Sequence, residues 1–302
     1  MPALTFTLSI LLGIVLLAIA AQEFRYLRTR RNVVGDRQPL LHSPQVFHVA
    51  TILQLAPGQE LLGAVRGFVG ATERAGGTVV YAGKVAVNAM ASSQLPDVDW
   101  EAFVLAQFPT RAAYDAAAAS PDLQKSRAGF AHSYALGMQR SRWLNLAVPI
   151  ILLAIRVRDV VTRHPARYPF RPATAPDGIP TAMLERRARL VEGLLANREY
   201  GEQALVVLNF VKNGTPEQRA ANAGYGAEMF GLMAEMGNGP MHIGRAVTLE
   251  GDADFDQVII VYYPGVAYFA ELVQSAFFTG IVGGKQLGDT LSSPTVPLLP
   301  HL

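Results

Sequence analysis

The feature that most constrains this chain is an apolar run near its N-terminus, Leu4 to Ala21, which contains neither charge nor proline. As a helix this run is about 27 Å long, close to the ~30 Å hydrocarbon core of a bilayer. The residues before it carry no charged side chain, and four arginines follow it: Arg25, Arg28, Arg30 and Arg31. By the positive-inside rule, the sequence predicts a transmembrane helix whose basic flank lies at cytoplasmic headgroups, with the rest of the chain on the same side.

A cleaved signal peptide is the alternative interpretation of the same run. Ala18, Ile19 and Ala20 resemble a small-x-small cleavage site. However, no Lys or Arg precedes the run, and arginines just after the site would oppose export. These charges favour an uncleaved, single-pass anchor at residues 1–31, placed in the inner membrane of the cell.

Composition limits the classes of partner and chemistry that the chain can use. Half of its 302 residues are hydrophobic and 17% are charged, which suits a protein with a membrane segment. The formal net charge of +2 is too small to indicate a nucleic-acid partner. The sequence has no cysteine, which excludes disulfides and cysteine-ligated metals.

A pattern of strands and helices occurs twice after a polar linker at 32–45. In the first copy, 46–144, we predict helices at 57–75 and 110–133 and strands at 46–55, 78–89, 100–108 and 134–144. In the second copy, 203–302, we predict helices at 216–236 and 265–282 and strands at 203–212, 241–250, 255–263 and 293–297. The last strand is the weakest, because it contains two prolines. Each copy has the order βαββαβ.

The two copies agree in the spacing of several residues. In each, a glycine is followed seven residues later by a second glycine and then by a base, Lys84 or Arg245. In each, the third strand ends in an aromatic residue and a proline, and a serine, Ser120 or Ser275, comes eleven residues after that proline. This agreement in order and spacing predicts an internal duplication.

The third strand of each copy is apolar on both faces, at 103–106 and 258–261. The helices of a βαββαβ unit cover only one face of its sheet, so the other face needs cover as well. The predicted fold class is therefore α+β, with two tandem ferredoxin-like βαββαβ repeats whose open sheet faces pack together as a pseudo-dimeric α/β barrel, plus one N-terminal transmembrane helix. Pairing within one chain and pairing between chains bury the same faces, so both stay open.

With these features the sequence resembles the dimeric α/β-barrel superfamily, and it is most similar to the small uncharacterised single-domain members. The residues that carry the resemblance are Gly76-Gly77, Gly83-Lys84, Phe108-Pro109, Tyr114, Ser120-Pro121 and Arg127. The second copy departs from this pattern, because Val282 stands where Arg127 stands in the first. The superfamily includes cofactor-free monooxygenases, haem-degrading enzymes, isomerases and dechlorinating enzymes, so the resemblance implies a fold but no single reaction.

The segment between the copies, 145–202, is expected to hold helices and a linker outside the repeats. The apolar run from Leu144 to Ile155 would span only about 18 Å as a helix, too short to cross a ~30 Å core. We expect it to lie in the membrane interface, with Trp143, Arg156 and Arg158 at the headgroups. A helix packed on the repeats is the alternative. A Pro-rich linker at 163–180 and an amphipathic helix at 181–197 follow.

No sequence motif identifies a catalytic centre. The six histidines have no metal-ligand spacing, so we predict no metal site, and any cofactor is unknown. Polar residues of the repeats are the candidates for ligand binding: His48, Tyr81, Lys84, Arg127, His132, His242 and Arg245. His48, Tyr81, Arg127 and His132 would suit an anionic or phenolic ligand, with a histidine as general base. The alternative is that His48 is a hydrogen-bonded core residue and that the basic residues are solvated or paired surface charges.

Two classes of function fit these observations. The first is a membrane-anchored α/β-barrel protein that binds a small ligand, or docks onto a membrane complex, at the cytoplasmic face of the membrane. The second is a cofactor-independent or haem-using enzyme, of the monooxygenase or isomerase type, that acts on a hydrophobic substrate. The expected partners are the lipid bilayer and either a membrane protein complex or a small hydrophobic or anionic ligand, and no nucleic acid is expected.

Overall fold

The computed structural model describes residues 2–31, 37–41, 46–173, 181–202 and 204–302. Parts of the predicted linkers at 32–45 and 163–180 therefore lie outside the described residues. The strands of the described part are β1 (Phe47–Gln54), β2 (Thr78–Val85), β3 (Ala102–Phe108), β4 (His132–Arg140), β5 (Leu205–Val211), β6 (Pro240–Thr248), β7 (Gln257–Tyr263) and β8 (Leu291–Pro297).

These strands close into one antiparallel barrel in the order β1-β3-β2-β8-β5-β7-β6-β4. Two pairings join the halves of the chain: β2 with β8, where Gly83 lies opposite Pro297, and β4 with β6, where Arg140 lies opposite Gly244. The predicted fold class, two ferredoxin-like repeats packed as a pseudo-dimeric α/β barrel, is therefore wrong. That prediction covered the apolar strand faces by stacking two open sheets. Instead, the sheet edges pair through hydrogen bonds, which encloses the same faces inside a single closed sheet.

Helices cover the outside of the barrel. They are α1 (Pro2–Thr29), α2 (Leu61–Arg74), α3 (Arg111–Ala118), α4 (Pro121–Ala128), α5 (Arg142–Val161), α6 (Thr181–Leu195), α7 (Arg198–Gly201), α8 (Pro216–Met236), α9 (Val266–Gln274) and α10 (Ala276–Ile281). Helices α2, α3 and α4 pack on the first-half strands through a core that includes Phe68, Phe108 and Leu123. Helix α5 packs on α8, and α1 packs on α5.

Two helices predicted as continuous, 110–133 and 265–282, are each divided in the structure. The divisions fall at Ser120 and Ser275, whose hydroxyls accept hydrogen bonds from the backbone N–H groups of Leu123 (3.4 Å) and Phe278 (3.0 Å). Each serine thus caps the start of a new short helix. In the first case Pro121 takes the first helical position, where a missing N–H leaves no hydrogen bond unmade.

Helix α1 is, among the described residues, the one helix long and apolar enough to cross a membrane, over Leu4–Thr29. This criterion rests on length and composition alone, and a signal sequence meets it too. The first half of α1 is exposed along most of its surface, whereas Ile19, Gln22, Tyr26 and Arg30 are buried against the rest of the protein. Their spacing of three or four residues places them on one face. The C-terminal three turns of α1 are therefore part of the folded domain.

The docked end of α1 also satisfies the C-terminus of α8. The Arg25 guanidinium donates a hydrogen bond to the carbonyl oxygen of Glu235, and the Thr29 hydroxyl donates to that of Met236 at 3.4 Å. The last carbonyls of a helix have no partner within the helix and carry the negative end of its dipole. A cation and a hydroxyl at this position stabilise both helices.

Candidate functional site

The alternation of side chains along each strand decides which ones enter the barrel. On β1, His48, Ala50 and Ile52 share one face, opposite Gln107, Leu105 and Phe103 of β3. Most of the interior is apolar, and large side chains that fill it include Phe103, Leu105, Leu136, Phe210 and Ile260. Against this background, a group of nitrogen-containing side chains at one end of the barrel is exceptional, because buried polar groups must be hydrogen-bonded to avoid a free-energy cost.

Two histidines from different halves of the chain form the centre of this group. His48 on β1 and His242 on β6 are 0% and 1% exposed, and their ring centroids are 5.4 Å apart at an interplanar angle of 55°. The Nε2 atom of His48 lies 3.1 Å from the Oε1 atom of Gln38 and 3.0 Å from the Nε2 atom of Gln107. A register shift between Pro240 and His242 in the β6–β7 pairing precedes the second histidine. Such irregularities re-aim side chains.

Arg140, the last residue of β4, is buried beside the histidine pair. Its Nη1 atom donates to Nδ1 of His242, and its Nη2 atom donates to Oδ1 of Asn145 (3.0 Å) and to the carbonyl oxygen of Met241 (3.1 Å). Because Nδ1 accepts a hydrogen bond here, a neutral His242 ring carries its hydrogen on Nε2. We call His48, His242, Arg140 and Asn145 the barrel-end cluster.

The docked end of α1 and the segment 37–41 cover the barrel-end cluster. Arg30 is buried and donates through Nη1 to the Tyr26 hydroxyl (2.9 Å) and to the Gln38 carbonyl. Leu40 borders a small cavity together with Arg140 and other residues, and this cavity has room for about one water molecule. Any larger ligand must therefore displace the covering segment.

The remaining ligand candidates do not join this cluster. Tyr81 also points into the barrel, where its hydroxyl lies 2.8 Å from Oγ1 of Thr295. Lys84 and Arg245 are on the opposite strand face and so lie outside the barrel, while His132 is exposed at the start of β4. The structure thus brings His48 and His242 together. The sequence analysis grouped His48, Tyr81, Arg127 and His132 in one site, and the structure places these four apart.

Arg127 lies outside the barrel, in a cavity beneath α2, α3 and α4 that also has room for about one water molecule. It forms an ion pair with Glu250 and donates to the Ser133 hydroxyl at 3.3 Å. Burial tends to lower the pKa of Arg127, but the hydrogen bond and charge of Glu250 raise it overall. Burial and the Glu250 charge raise the pKa of Tyr114, and they raise that of Tyr134 to about 12. This arrangement neutralises Arg127 internally.

The residues predicted to lie at the membrane interface fall into two groups. Arg25, Arg30 and Arg156 make contacts within the protein, the last through Nη1 to Oε1 of Gln22 at 3.2 Å. The exposed members are Arg28, Arg31, Trp143 and Arg158.

The sequence prediction missed Arg140, Asn145, Gln38 and Gln107. A signal for Arg140 was present, because it follows Leu136 and Met138 at the period of two that marks one strand face. The apolar run that follows Arg140 obscures this signal, because arginines beside such a run commonly lie at lipid headgroups. Gln38 belongs to a segment between elements, where no periodicity predicts its position.

The described histidines do not fit a haem group. A haem iron is commonly held by histidine, with space beside it for the macrocycle. His48 and His242 are enclosed by the packed barrel end, and His132, His164 and His301 are exposed on the surface. Across the described ranges, no three His, Asp or Glu side chains lie close enough together to hold a metal ion.

No known family model and no curated protein matches this chain. Solved structures similar to it include a putative monooxygenase from Fusobacterium nucleatum, with 8% identity, a TM-score of 0.41 and coverage of 84% of this chain and 92% of that one. A mutant chlorite dismutase from Candidatus Nitrospira defluvii has 12% identity, a TM-score of 0.42 and coverage of 88% and 97%. An anthrone oxidase-like protein has 12% identity, a TM-score of 0.40 and coverage of 85% and 92%.

At these identities and TM-scores the neighbours carry no argument about a superfamily, so the resemblance stated from the sequence stays a prediction. The tandem duplication and the membrane anchor stay predictions. Identities of 8–12% and TM-scores of 0.40–0.42 do not transfer an activity to this chain.

Proposed function

We propose that this chain is a membrane-tethered protein that binds a small ligand with anionic or hydrogen-bond-accepting groups at the barrel-end cluster. The observation that carries the proposal is the pair of buried histidines, 5.4 Å apart, beside the buried Arg140. Leu, Ile and Phe side chains fill the rest of the barrel interior, so packing of the barrel requires few buried polar side chains there.

The chemistry of the cluster supports a ligand of this class. Arg140 brings a positive charge and several N–H donors in a fixed plane, which match a carboxylate or another planar acceptor. A neutral imidazole offers one donor and one acceptor, so His48 and His242 can each bond to a hydroxyl or a carbonyl. A few such groups in an apolar surround are typical of small-molecule sites.

The cover over the cluster indicates how a ligand would enter. The Gln38 side chain already supplies a planar acceptor, its Oε1 atom, to Nε2 of His48. A ligand carboxylate or carbonyl that takes this place would replace the Gln38 contact and shift the segment 37–41 outward. Binding would then compete with closure of the barrel end.

The proposed location is the cytoplasmic face of the inner membrane, with α1 as a single-pass tether. The support is the apolar length of α1 and the exposed arginines Arg28 and Arg31 just beyond it. Under this topology the barrel end covered by α1 faces the membrane, and a ligand drawn from the bilayer has a short route to it.

Native mass spectrometry of the full-length protein, released from a mild detergent, tests the ligand site. We expect wild type to retain a reproducible small-molecule mass that His242→Ala loses. The exposed His132→Ala, on the same barrel, is the matched control and should retain it. Circular dichroism would establish that both variants are folded. A bare wild-type chain, or equal retention by all three proteins, would contradict the proposal.

A cofactor-independent enzyme that uses the same site is the second candidate. The observation that favours it is His48: once a ligand has displaced Gln38, a neutral ring with its hydrogen on Nδ1 can accept a proton from a bound acid at Nε2. In this case, wild type should convert the recovered ligand to a product, while His48→Gln should bind it without conversion. Unchanged ligand after prolonged incubation with wild type would exclude this candidate.

A further inference from the structure

Helix α1 leaves the folded domain near Ile19. From that residue onward its buried face packs against the domain, so the part clear of the protein is Leu4–Ala18. These fifteen residues are about 22 Å long at 1.5 Å per residue, about 8 Å less than the ~30 Å hydrocarbon core. For α1 to span the membrane, the docked part must therefore enter the bilayer as well.

The surface beside the point of departure is the C-terminal half of α5. The hydrogen bond between Arg156 Nη1 and Gln22 Oε1, 3.2 Å long, places this half next to the second-last turn of α1. Val160 and Val161 are 78% and 75% exposed there, and Val157 is exposed beside them. Valine side chains grouped in this way are unusual on a surface that meets only water.

The opposite side of α5 is already occupied. Val148 and Leu152 are buried in the domain core, and the helix packs on α8. The exposed valines therefore lie on the side of α5 that faces away from the core and can contact an environment other than the domain. Positive charge borders them, since Arg158 is more than half exposed and shares the Asp159 carboxylate with Arg167, and the exposed Arg163 follows the end of the helix.

We propose that the C-terminal half of α5, with Val157, Val160 and Val161, lies in the boundary between headgroups and acyl chains, beside the point where α1 enters the membrane. Arg158 and Arg163 reach the anionic phosphates from the edge of this surface. This inference rests on the membrane tether of the proposed function. It requires the domain to sit against the bilayer, with the barrel end covered by α1 directed toward lipid.

Tryptophan fluorescence tests this placement in the full chain. The two native tryptophans, Trp100 and Trp143, are both replaced by phenylalanine, and a single indole is introduced by Val160→Trp, at an exposed position that tolerates a larger side chain. The matched control introduces it by His132→Trp, at the start of β4. Arg140 ends that strand near α1, so His132 is at the far end of the barrel.

Both variants are reconstituted into vesicles of phosphatidylcholine and phosphatidylglycerol. We expect lipids brominated near the headgroup end of the acyl chain to quench the indole of Val160→Trp, and acrylamide to quench that of His132→Trp instead. Vesicle flotation separates the two levels of the proposal. Protein that floats while acrylamide quenches both indoles equally overturns the α5 placement and leaves the tether intact. Protein that fails to float overturns the tether itself.

Discussion

Replacing Tyr26 with alanine tests whether α1 belongs to the folded domain or only tethers it. Tyr26 is 0% exposed, and truncating a buried aromatic residue to alanine costs about 3–5 kcal/mol. The guanidinium carbon of Arg30 lies 5.1 Å from the Tyr26 ring centroid, and Arg30 Nη1 donates to the Tyr26 hydroxyl at 2.9 Å. Loss of both contacts adds to the packing loss, so we expect the free energy of unfolding to fall by about 4 kcal/mol.

Phe24→Ala is the matched control, because Phe24 is two residues away on the same helix but 68% exposed. A surface substitution of this kind should change the free energy of unfolding by no more than about 0.5 kcal/mol. For a domain of this size, about 2–4 °C in Tm corresponds to 1 kcal/mol, so Tyr26→Ala should lower Tm by about 8–16 °C. Thermal unfolding followed by circular dichroism, on full-length protein in a mild detergent, measures both variants.

Equal melting of wild type, Tyr26→Ala and Phe24→Ala would refute the reasoning. It would mean that the α1 contacts add nothing to the stability of the barrel, and that the helix is held only by its covalent connection. The cover over the barrel-end cluster would then open freely, and access to His48 would not depend on α1.

Three further substitutions probe the interior. Arg140→Met should lower the free energy of unfolding by about 2–3 kcal/mol in urea titrations, because three buried acceptors lose a donor; the exposed Arg245→Met is the control and should have almost no effect. Gly231→Ala should cost about 1–3 kcal/mol by the same measurement, because the new Cβ would lie 2.6 Å from Cζ of the buried, ion-paired Arg167. Burial and the Glu250 charge raise the pKa of Tyr134 from its ordinary value of 10.0 to about 12, so its neutral form stabilises the fold below pH 10 and this contribution is lost as the pH rises through 12. Tyr134→Phe should therefore reduce the loss of stability between these pH values, and an unchanged alkaline unfolding curve would contradict the assignment.

The positions of the strands could be predicted from the sequence, but the way they close could not. Apolar runs bounded by glycine and proline located the strands, including β8, whose prolines weakened the prediction. In β8, the Pro294 carbonyl accepts a hydrogen bond from the N–H group of Ala86, so a residue that cannot donate still takes part in pairing. The sequence showed which faces needed cover. Whether a second sheet or closure of the same sheet supplies that cover depends on which edges meet, and edge pairing leaves no periodic pattern.

The candidate site was predicted in part for a similar reason. His48 and His242 were each identified as polar residues on apolar strands, but their proximity depends on the long-range closure through β4 and β6. Arg127 and His132 are near His48 in the predicted order of elements, yet Arg127 lies on α4 outside the barrel and His132 lies at the opposite end of the barrel from His48. Arg140 was not identified, because it precedes an apolar run and arginines there commonly lie at lipid headgroups. Its strand periodicity pointed to the interior.

The contacts of α1 connect the proposed tether to the proposed site through a short series of side chains. Tyr26 holds Arg30, Arg30 donates to the carbonyl of Gln38, and the Gln38 side chain meets His48. A change in the docking of α1 must therefore alter the position of Gln38, and removing Gln38 from His48 exposes the Nε2 atom to which a ligand would bind. Under the proposed tether the same helix is embedded in lipid, and these contacts would then couple membrane insertion to closure of the barrel end. Tyr26→Ala should then weaken the cover as well as the fold, and ligand exchange at the barrel end should become faster than in Phe24→Ala.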